Sequence, residues 1–322
     1  MSAAPLLRVR DLRTAFGSGA GANEVVKGVS FDLAEGEVLG LIGESGSGKT
    51  VTGLSILQLL PGNAHVNAAE LSYRGEPIAG KSAAELRRLR GIDLAMIFQD
   101  PVGSFNPAKT IGWHIEKALG RLAVSPSAEA GAEPIRLLKS VGIREPEQAL
   151  SSYPHQLSGG MLQRVLIAMV FGLKPKLVIA DEPTTNLDNL VERQILNLIR
   201  DQQRRHGTGV LFVTHDLTVA RHLCDRIAVM YSGRIVEIGP TERILKQPAH
   251  PYTAGLLATA RSLANRDETL YEIKGEPGAS SWAGRCAFAS RCNAAIDRCT
   301  TAEPHDVDLC QNHSVRCFNH AV

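Results

Sequence analysis

The sequence predicts an α/β fold in which a mainly parallel sheet is layered with helices. Short apolar runs alternate with helical patterns, and a glycine-rich loop stands between the first run and the helix that follows it. A middle stretch without such runs predicts a helical subdomain. A cluster of cysteines near the C-terminus predicts a small cysteine-rich extension.

The predicted strands are short apolar runs bounded by glycine or charged residues. They are residues 38–42, 94–98, 177–180, 210–214 and 227–230. Near-continuous hydrophobicity over so few residues is typical of strands that are buried on both faces of a parallel sheet. Apolar positions at helical spacing, such as Val51, Leu54 and Leu57, separate these runs. Alternation of this kind predicts an α/β layered domain.

The domain boundaries follow from where this alternation is interrupted. Residues 101–173 lack strand runs, so we expect a helical subdomain there. The sheet pattern stops after about Pro248. We therefore expect a main domain over residues 1–248 and a C-terminal extension over residues 249–322.

Composition excludes several classes of protein. The chain has 322 residues, 35 Lys or Arg against 33 Asp or Glu, a net charge of +2, and 44% hydrophobic residues. These values are ordinary for a globular protein and argue against a disordered or collagenous chain. The balanced charge lacks the basic excess that is typical of nucleic-acid binding.

No segment has the pattern of a secretory signal or a membrane span. Residues 1–8 lack a basic start followed by a long apolar stretch. The longest apolar run, residues 165–173, is about half of what a bilayer-spanning helix needs. We therefore expect any membrane association to come through a partner protein.

The glycine-rich stretch from Gly43 to Thr50 has the letters GESGSGKT. These fit the pattern G-x-x-x-x-G-K-[ST] of a loop that binds nucleotide phosphates. Glycines let backbone N–H groups surround phosphate oxygens, and the following helix N-terminus adds partial positive charge. In such a loop Lys49 contacts the β- and γ-phosphates, and the Thr50 hydroxyl binds Mg²⁺. A glycine-rich turn without a ligand is the alternative, which the strand–loop–helix context disfavours.

Asp181 and Glu182 stand at the carboxyl end of the third predicted strand. A carboxylate at the end of a buried strand is costly without a cation, and Mg²⁺ would supply one to Asp181. Glu182 would then polarise a water for attack on the γ-phosphate as a general base. The alternative is that the two acids only cap the following helix.

Two further polar residues end predicted strands. A lone histidine at a strand end, such as His215, is more often structural than catalytic. The amide oxygen of Gln99 is suited to contact Mg²⁺ or the attacking water, but by itself this residue is weak evidence.

The most specific pattern is LSGGMLQR, from Leu157 to Arg164. Together with the phosphate loop, the acidic pair and the letters NLD that end at Asp188, it resembles the ordered motifs of the ATP-binding cassette (ABC) ATPases. The resemblance covers about residues 6–240. It implies a P-loop NTPase fold with a RecA-like core, in which two cassettes bind two ATP molecules head to tail.

The resemblance also implies a role for each motif residue. The ATP-binding residues it implies are Phe16, Gly43, Ser45, Gly46, Ser47, Gly48, Lys49, Thr50 and Gln99. Contacts to the ATP of a partner cassette are implied for Ser158, Gly159, Gly160 and Gln163, with Asp188 in the D-loop. Mg²⁺ would be bound by Thr50, Gln99 and Asp181, with Glu182 and His215 as catalytic residues. Phe16 would stack on adenine, with an ordinary core phenylalanine as the alternative.

Further motifs resemble the dipeptide/oligopeptide/nickel branch of bacterial importers. They are FQDP from Phe98, SFNP from Ser104, TIG from Thr110, YPHQLS from Tyr153 and HPYT from His250, followed by Leu256 and Leu257. Two positions depart from that branch: Leu162, where Arg is usual, and Asn186, where Ala is common. Neither removes a phosphate-contacting group, so hydrolysis is still expected. Leu162 would alter packing in the half-site offered to the partner.

Five of the six cysteines lie after residue 285. The other, Cys224, fits a reducing cytoplasm, in which a cysteine cluster indicates a metal or redox cofactor rather than disulfides. The set Cys286, Cys292, Cys299 and Cys317 resembles that of the same ATPases, which in some members holds an iron–sulfur cluster. We expect a [4Fe–4S] cluster as a structural element, with Cys310 as the spare thiol. Zn²⁺, unligated thiols and a redox-sensing role are the alternatives.

The resemblance implies the ATPase motor subunit of a bacterial importer for peptides or related small solutes. Its expected place is the cytoplasmic face of the inner membrane. The implied partners are a second ABC ATPase subunit (a copy of itself or a related chain), two transmembrane permease subunits and, indirectly, an extracytoplasmic solute-binding protein. The alternatives are a motor for nickel or another non-peptide solute, a soluble ABC ATPase acting on nucleic acid or ribosomes, and a regulator that only binds nucleotide.

Overall fold

The computed structural model describes residues 4–120, 132–185, 187–264, 271–275 and 284–320. The chain divides into two compact units. The first comprises Met1–Leu33, Glu37–Ala79 and Phe212–Val322, and the second comprises Ala34–Gly36 and Gly80–Leu211.

Strands and helices are numbered in chain order. The strands are β1 (Leu7–Phe16), β2 (Asn23–Leu33), β3 (Val38–Ile42), β4 (Ala64–Asn67), β5 (Glu70–Tyr73), β6 (Glu76–Pro77), β7 (Leu94–Ile97), β8 (Leu177–Asp181), β9 (Gly209–Thr214), β10 (Arg226–Tyr231), β11 (Arg234–Pro240), β12 (Val307–Cys310) and β13 (His313–Val315). The helices are α1 (Lys49–Ile56), α2 (Ala83–Leu89), α3 (Ile111–Leu119), α4 (Glu133–Ser140), α5 (Pro146–Ser151), α6 (Gly159–Gly172), α7 (Asn189–His206), α8 (Leu217–Leu223), α9 (Thr241–Lys246), α10 (Pro251–Ala264) and α11 (Asp297–Thr301).

The apolar runs predicted as strands are strands in the structure, namely β3, β7, β8, β9 and β10. Helices separate them along the chain, which confirms the α/β class. The division between the two units falls between Leu211 and Phe212, so that β9 begins in the second unit and ends in the first.

An antiparallel sheet in the first unit has the strand order β2-β1-β5-β6, with β4 also paired to β1. Along β1, buried residues such as Leu7 and Val9 alternate with partly exposed ones such as Arg8 and Arg10. Such alternation is typical of an antiparallel sheet with one solvated face. The sequence prediction depended on continuous apolar runs and therefore did not include this sheet.

A second sheet in the first unit has the order β12-β13-β11-β10-β3. Strands β3 and β10 are parallel, with Leu39 opposite Arg226, and β3 is buried throughout. The glycine-rich loop leaves the carboxyl end of β3 and leads into α1. Ligands of α/β proteins bind outside the carboxyl ends of such strands.

The sheet continues into the C-terminal region. Strand β13 pairs with β11, and β12 pairs with β13. The expectation that the sheet pattern stops after Pro248 is therefore wrong. Residues of β12 are largely exposed, because it lies at the edge of the sheet, so it carries no apolar run to reveal it.

In the second unit, β7 and β8 are parallel, with Leu94 opposite Leu177. The described residues between 101 and 173 form helices α3 to α6, the 3₁₀ turn Pro154–Gln156 and connecting segments, without a strand. Across the described parts of the chain, no helix has both the length and the apolar character needed to cross a membrane. The domain boundaries at 1–248 and 249–322 stay a prediction.

Candidate functional site

The phosphate loop, residues Gly43 to Thr50, is shaped by glycines at both of its ends. A Cβ added to Gly43 would stand 2.1 Å from the Met230 carbonyl oxygen, so only glycine fits this close approach of two backbones. Gly48 has a φ of +101°, a conformation that L side chains rarely adopt. The loop therefore lies against the end of β10 and turns sharply into the N-terminus of α1.

Lys49 is the buried cation of the phosphate loop, with a relative exposure of 5%. Its Nζ donates hydrogen bonds to the carbonyl oxygens of Gly43 at 2.8 Å and Glu44 at 2.9 Å. The ammonium group thus lies over the loop, where phosphate oxygens are stronger acceptors for it than carbonyl oxygens.

Ser47 provides a test of whether the phosphate loop fits an anion. Its side chain is buried, and its Oγ has no hydrogen-bond partner within the described residues. A buried hydroxyl without a partner is costly. A phosphate oxygen would supply the missing acceptor, so the loop fits a nucleotide. Ser45 and Gly46 are exposed on the same loop.

The predicted Mg²⁺ ligands are distributed over both units. Thr50 is exposed in the first turn of α1, Gln99 is exposed just after β7, and Asp181 is buried as the last residue of β8. They offer hydroxyl, amide and carboxylate oxygens, which are the ligands that Mg²⁺ prefers. Each of the three side chains therefore carries an oxygen of the kind that binds the expected ion.

Within the second unit, the structure brings Gln99 and Glu182 together. Gln99 Nε2 donates to Glu182 Oε2 at 3.1 Å, and Thr185 Oγ1 donates to the same oxygen at 3.0 Å. Sequence reasoning missed Thr185, although a threonine three residues after a candidate base is a possible signal. The Glu182 backbone has a φ of +42°, which is rare for a residue with a side chain. Such strained positions cluster at functional sites.

His215 is exposed in the connection between β9 and α8. Its neighbours hold this connection in place. The Asp216 N–H donates to Thr214 Oγ1 at 3.0 Å, and Asp216 Oδ1 accepts from the Thr218 N–H at 2.6 Å as the N-cap of α8. The backbone around the imidazole is thus fixed while the ring remains accessible.

The motif LSGGMLQR forms the start of α6. Ser158 is the N-cap, and its Oγ accepts from the Met161 N–H at 3.3 Å. Ser158 and Gly159 are exposed and Gly160 is half-buried. Gln163 is different, because it is 1% exposed and its amide atoms have no hydrogen-bond partner in the described part of the chain. Its contact to a partner's ATP stays a prediction.

Three other predicted residues lie as follows. Asp188 is the N-cap of α7, and its Oδ1 accepts from the Leu190 and Val191 N–H groups at 3.0 Å each. Leu162 is buried inside the second unit rather than at its surface. Asn186 lies outside the described residues.

Phe16 is the last residue of β1, opposite Asn23 of β2 and Ala64 of β4. Its side chain is half-buried and is not part of the fully buried core. Stacking on adenine stays a prediction that this exposure permits.

The cysteine cluster consists of Cys286, Cys292, Cys299 and Cys317. All six cysteines of the chain lie in the described residues, and none of them forms a disulfide. Burial raises the pKa of Cys286 to about 11, and the other three thiols add to the rise. Burial also raises the pKa values of Cys292 and Cys317. Cys310 is exposed on β12, where Arg243 donates to its Sγ.

These thiols do not form a metal site in the structure. Among the described residues, which include all four thiols, no group of three or more His, Cys, Asp or Glu side chains is arranged to hold a metal ion. The geometry therefore does not support the expected [4Fe–4S] cluster or its Zn²⁺ alternative.

Sequence reasoning also missed two residues that contact the phosphate loop. Arg291 forms a two-bond ion pair with the Glu44 carboxylate, at 2.7 and 2.9 Å. The Tyr252 hydroxyl accepts a hydrogen bond from the Glu44 N–H at 2.9 Å. Tyr252 belongs to a recognised motif, but nothing local to Arg291 signals a partner so distant in the chain.

Comparison with protein families agrees with this geometry. The chain matches the family "ABC transporter" over residues 26–185 and the family "Oligopeptide/dipeptide transporter, C-terminal region" over residues 236–299. The dipeptide transport ATP-binding protein DppD of Bacillus subtilis (strain 168) is 40% identical over 315 residues, covering 97% of this chain and 94% of that protein. The oligopeptide transport ATP-binding protein OppD of the same strain is 40% identical over 316 residues, covering 97% and 88%.

Solved structures show the same fold. An ATP-binding subunit of an ABC transporter has a TM-score of 0.60 at 30% identity, and covers 74% of this chain and 91% of that one. The dimeric, post-hydrolysis ATP-binding cassette MJ0796 with bound ADP and Pi has a TM-score of 0.64 at 25% identity, with coverage of 73% and 98%. The resemblance implied by the motifs is confirmed. The chain belongs to the ABC transporter ATPases, in the branch that carries the oligopeptide/dipeptide transporter C-terminal region.

Proposed function

We propose that this chain is the ATP-hydrolysing motor of a peptide importer, bound to the cytoplasmic face of a membrane through permease partners. The observation that carries the proposal is the buried, unpartnered Ser47 hydroxyl beside Lys49 in a glycine-shaped loop, which is a site ready for phosphate. Support for the peptide class comes from relatives that match almost the whole chain and are named for dipeptide and oligopeptide transport.

The proposed chemistry divides among residues of known position. Lys49 and Ser47 bind phosphate oxygens, and a bound Mg²⁺ would neutralise charge on the phosphates. Glu182 polarises the attacking water, and Gln99 and Thr185 orient its carboxylate through their hydrogen bonds. His215 contacts the γ-phosphate, so that its contacts differ between the states with and without this phosphate.

Coupling to the permeases is proposed for an exposed apolar surface of the second unit. Phe98, Val102 and Trp113 are all exposed, close in sequence to Gln99. We propose that these side chains form one contact site, since contiguous exposed apolar patches are typical of sites that contact another protein. Movement of Gln99 with the bound nucleotide would therefore reach the permeases through this surface.

ATP is proposed to act by stabilising a pair of cassettes. Ser158, Gly159 and Gly160 at the start of α6 present a hydroxyl and N–H groups, which suit the γ-phosphate of ATP on a second cassette. ATP then shifts the population to the closed pair because it binds that state better.

The test of this function is reconstitution with the associated membrane chains. The chain is purified from membranes with its partners, and uptake of labelled dipeptides, oligopeptides and Ni²⁺ is measured with wild type and Lys49→Ala. Peptide uptake with the wild type, and none with Lys49→Ala, supports the proposal. Uptake of Ni²⁺ alone would overturn the peptide assignment, and ATPase activity stimulated only by RNA or ribosomes would overturn the transport function.

We also propose an iron–sulfur centre at the cysteine cluster, which requires the four thiols to move from their positions in this structure, where they do not form a metal site. Two of the four residues lie side by side, since the Cys286 N–H donates to the Cys299 carbonyl oxygen at 3.0 Å. Anaerobic purification followed by iron, sulfide and zinc assays decides the matter. Iron and sulfide in equal amounts support the cluster, zinc alone supports the alternative, and absence of all three means free thiols.

A further inference from the structure

Glu44, the second residue of the phosphate loop, is held through all of its polar groups. Its N–H donates to the Tyr252 hydroxyl at 2.9 Å. Its carbonyl oxygen accepts from Lys49 Nζ at 2.9 Å and from the Ser47 N–H at 3.2 Å. Its carboxylate binds the Arg291 guanidinium through two bonds at 2.7 and 2.9 Å. Two of these four partners, Tyr252 and Arg291, come from the region after residue 248.

Arg291 is fixed where it stands. Its side chain is 4% exposed, whereas that of Glu44 is 26% exposed. Besides Glu44, it donates to the carbonyl oxygens of Ile273 at 3.2 Å and Lys274 at 3.1 Å. A guanidinium whose donors are shared between a carboxylate and two carbonyl groups has little freedom to move. It therefore presents a rigid fork to the phosphate loop.

A buried carboxylate fixes the backbone segment that leads to Tyr252. Glu237 is fully buried and accepts the N–H groups of Ala249 at 2.9 Å and His250 at 3.0 Å. The Tyr252 N–H in turn donates to His250 Nδ1 at 3.0 Å. These bonds fix the start of α10 and hence the position of the Tyr252 hydroxyl.

Aromatic packing connects the contact made by Tyr252 with the contact made by Arg291. The rings of Tyr231 and Tyr252 lie 4.7 Å apart, and Phe288 packs on them at 5.2 and 5.3 Å. Phe288 precedes the 3₁₀ turn Ala289–Arg291, which delivers the Arg291 side chain. The cysteine-bearing extension is thus connected to the phosphate loop by packing as well as by charge.

The negative charge of Glu44 explains why the bonds from Arg291 are needed. A free carboxylate in a loop that binds phosphates would repel the ligand, and pairing with Arg291 cancels that charge. When Lys49 turns to a phosphate it leaves the Glu44 carbonyl. Glu44 then keeps the bond from the Ser47 N–H within the loop and its bonds to Tyr252 and Arg291 of the C-terminal region.

We propose that the C-terminal region positions the phosphate loop for ATP, with Arg291 neutralising and orienting Glu44 and Tyr252 holding its N–H. This inference rests on the proposed role of the loop in ATP binding. Arg291 and Tyr252 are positioning residues, because they act on the nucleotide through Glu44.

The experiment measures MgATP affinity and turnover for full-length variants, the latter in the complex with the permeases. Arg291→Ala should raise the Kd and KM for MgATP about tenfold or more, since small misplacements of binding groups cost this much. Its kcat should change much less, because the lost interaction acts on binding. Arg291→Lys should recover part of the affinity. Arg298→Ala, an exposed residue of α11 stacked on Phe318, should match the wild type.

Three results distinguish the possible failures. A folded Arg291→Ala with wild-type Kd would overturn the positioning role. If that variant does not fold, Glu44→Gln, Arg291→Gln and their double variant replace it. The effects of two coupled residues on binding free energy do not add. If the loss of MgATP binding free energy in the double variant equals the sum of the two single losses, the positioning role is likewise overturned. If Lys49→Ala binds MgATP as well as the wild type, the proposed function of the loop fails instead.

Discussion

Among single residues, Glu182 combines a strained backbone conformation with the proposed role of general base. A φ of +42° in a residue with a side chain costs about 1–3 kcal/mol, and it persists where the surroundings enforce it. Here Gln99 and Thr185 both donate to Glu182 Oε2. These two bonds fix the orientation of the carboxylate that is proposed to act on the attacking water.

Glu182→Gln should therefore lower the ATP hydrolysis rate by about 100-fold or more, since an amide cannot act as a general base. Binding of ATP should be retained. The measurements are phosphate release and equilibrium ATP binding. Glu242→Gln, whose side chain is 86% exposed, serves as the control. Unchanged hydrolysis by Glu182→Gln would refute the role of this residue.

A second residue, His250, gives the fold a pH dependence. Burial lowers its pKa from 6.5 to about 3. The unfolded chain therefore binds a proton that the folded chain rejects, so that stability is complete above pH 6.5 and is lost as the pH falls toward 3. The loss between pH 7.5 and pH 5.5 should be about 1.4 kcal/mol.

Denaturant unfolding at these two pH values measures this loss. His250→Asn keeps an acceptor for the Tyr252 N–H but does not titrate. The variant should lack this part of the pH dependence. An equal loss of stability in the wild type and in His250→Asn would show that other groups cause it.

At the scale of elements, the sequence predicts those strands whose burial is complete. In β3 and β8 every residue is buried, so the apolar run is visible in the sequence. In β1 the core residues alternate with arginines that pair with acids on neighbouring strands, so a search for apolar runs misses it. Strand β12 is exposed and depends on β13 for its position.

Close packing of α6 against α7 makes the two glycines of the signature unequal. A Cβ on Gly160 would stand 2.9 Å from Val191 Cγ1, whereas a Cβ on Gly159 would meet no atom within 4 Å. Gly160→Ala should therefore destabilise the protein by about 1–3 kcal/mol through overpacking. Gly159→Ala should be neutral, or stabilising by up to about 1 kcal/mol, because alanine favours helix.

Thermal or denaturant unfolding of both variants tests this difference, with Gly159→Ala as the matched control. Equal effects of the two substitutions would mean that α7 moves away without cost. A larger loss for Gly159→Ala would contradict the packing argument directly.

At the scale of the whole molecule, the site divides into parts that a sequence can and cannot predict. The phosphate loop is one contiguous motif, so Lys49 and Thr50 are recognisable from spacing alone. The contact between Gln99 and Glu182 follows from two strand ends at one sheet edge. The pair of Glu44 and Arg291 joins positions 247 residues apart with no local pattern, and only the fold brings them together.

Pairing of whole chains is the remaining consequence of the motifs. One chain carries Lys49, Glu182 and Ser158, so two copies would complete two ATP sites without another protein. Leu190, two residues after the N-cap Asp188, is 68% exposed, and we expect a second cassette to cover it. We therefore expect a Glu182→Gln variant, which retains ATP, to form a dimer of itself with MgATP and to be monomeric without it.

Sedimentation velocity at several concentrations measures this change. Ser158→Arg, added to Glu182→Gln, should abolish the dimer while leaving ATP bound, because the side chain would fill the place of the partner's γ-phosphate. Lys49→Ala should remain monomeric because it lacks the nucleotide. If Glu182→Gln binds MgATP and still sediments as a monomer at every concentration, the expectation of a self-dimer is wrong and the second cassette must be a related, different chain. The same experiment then identifies that chain when candidate chains from the purified membrane complex are added one at a time.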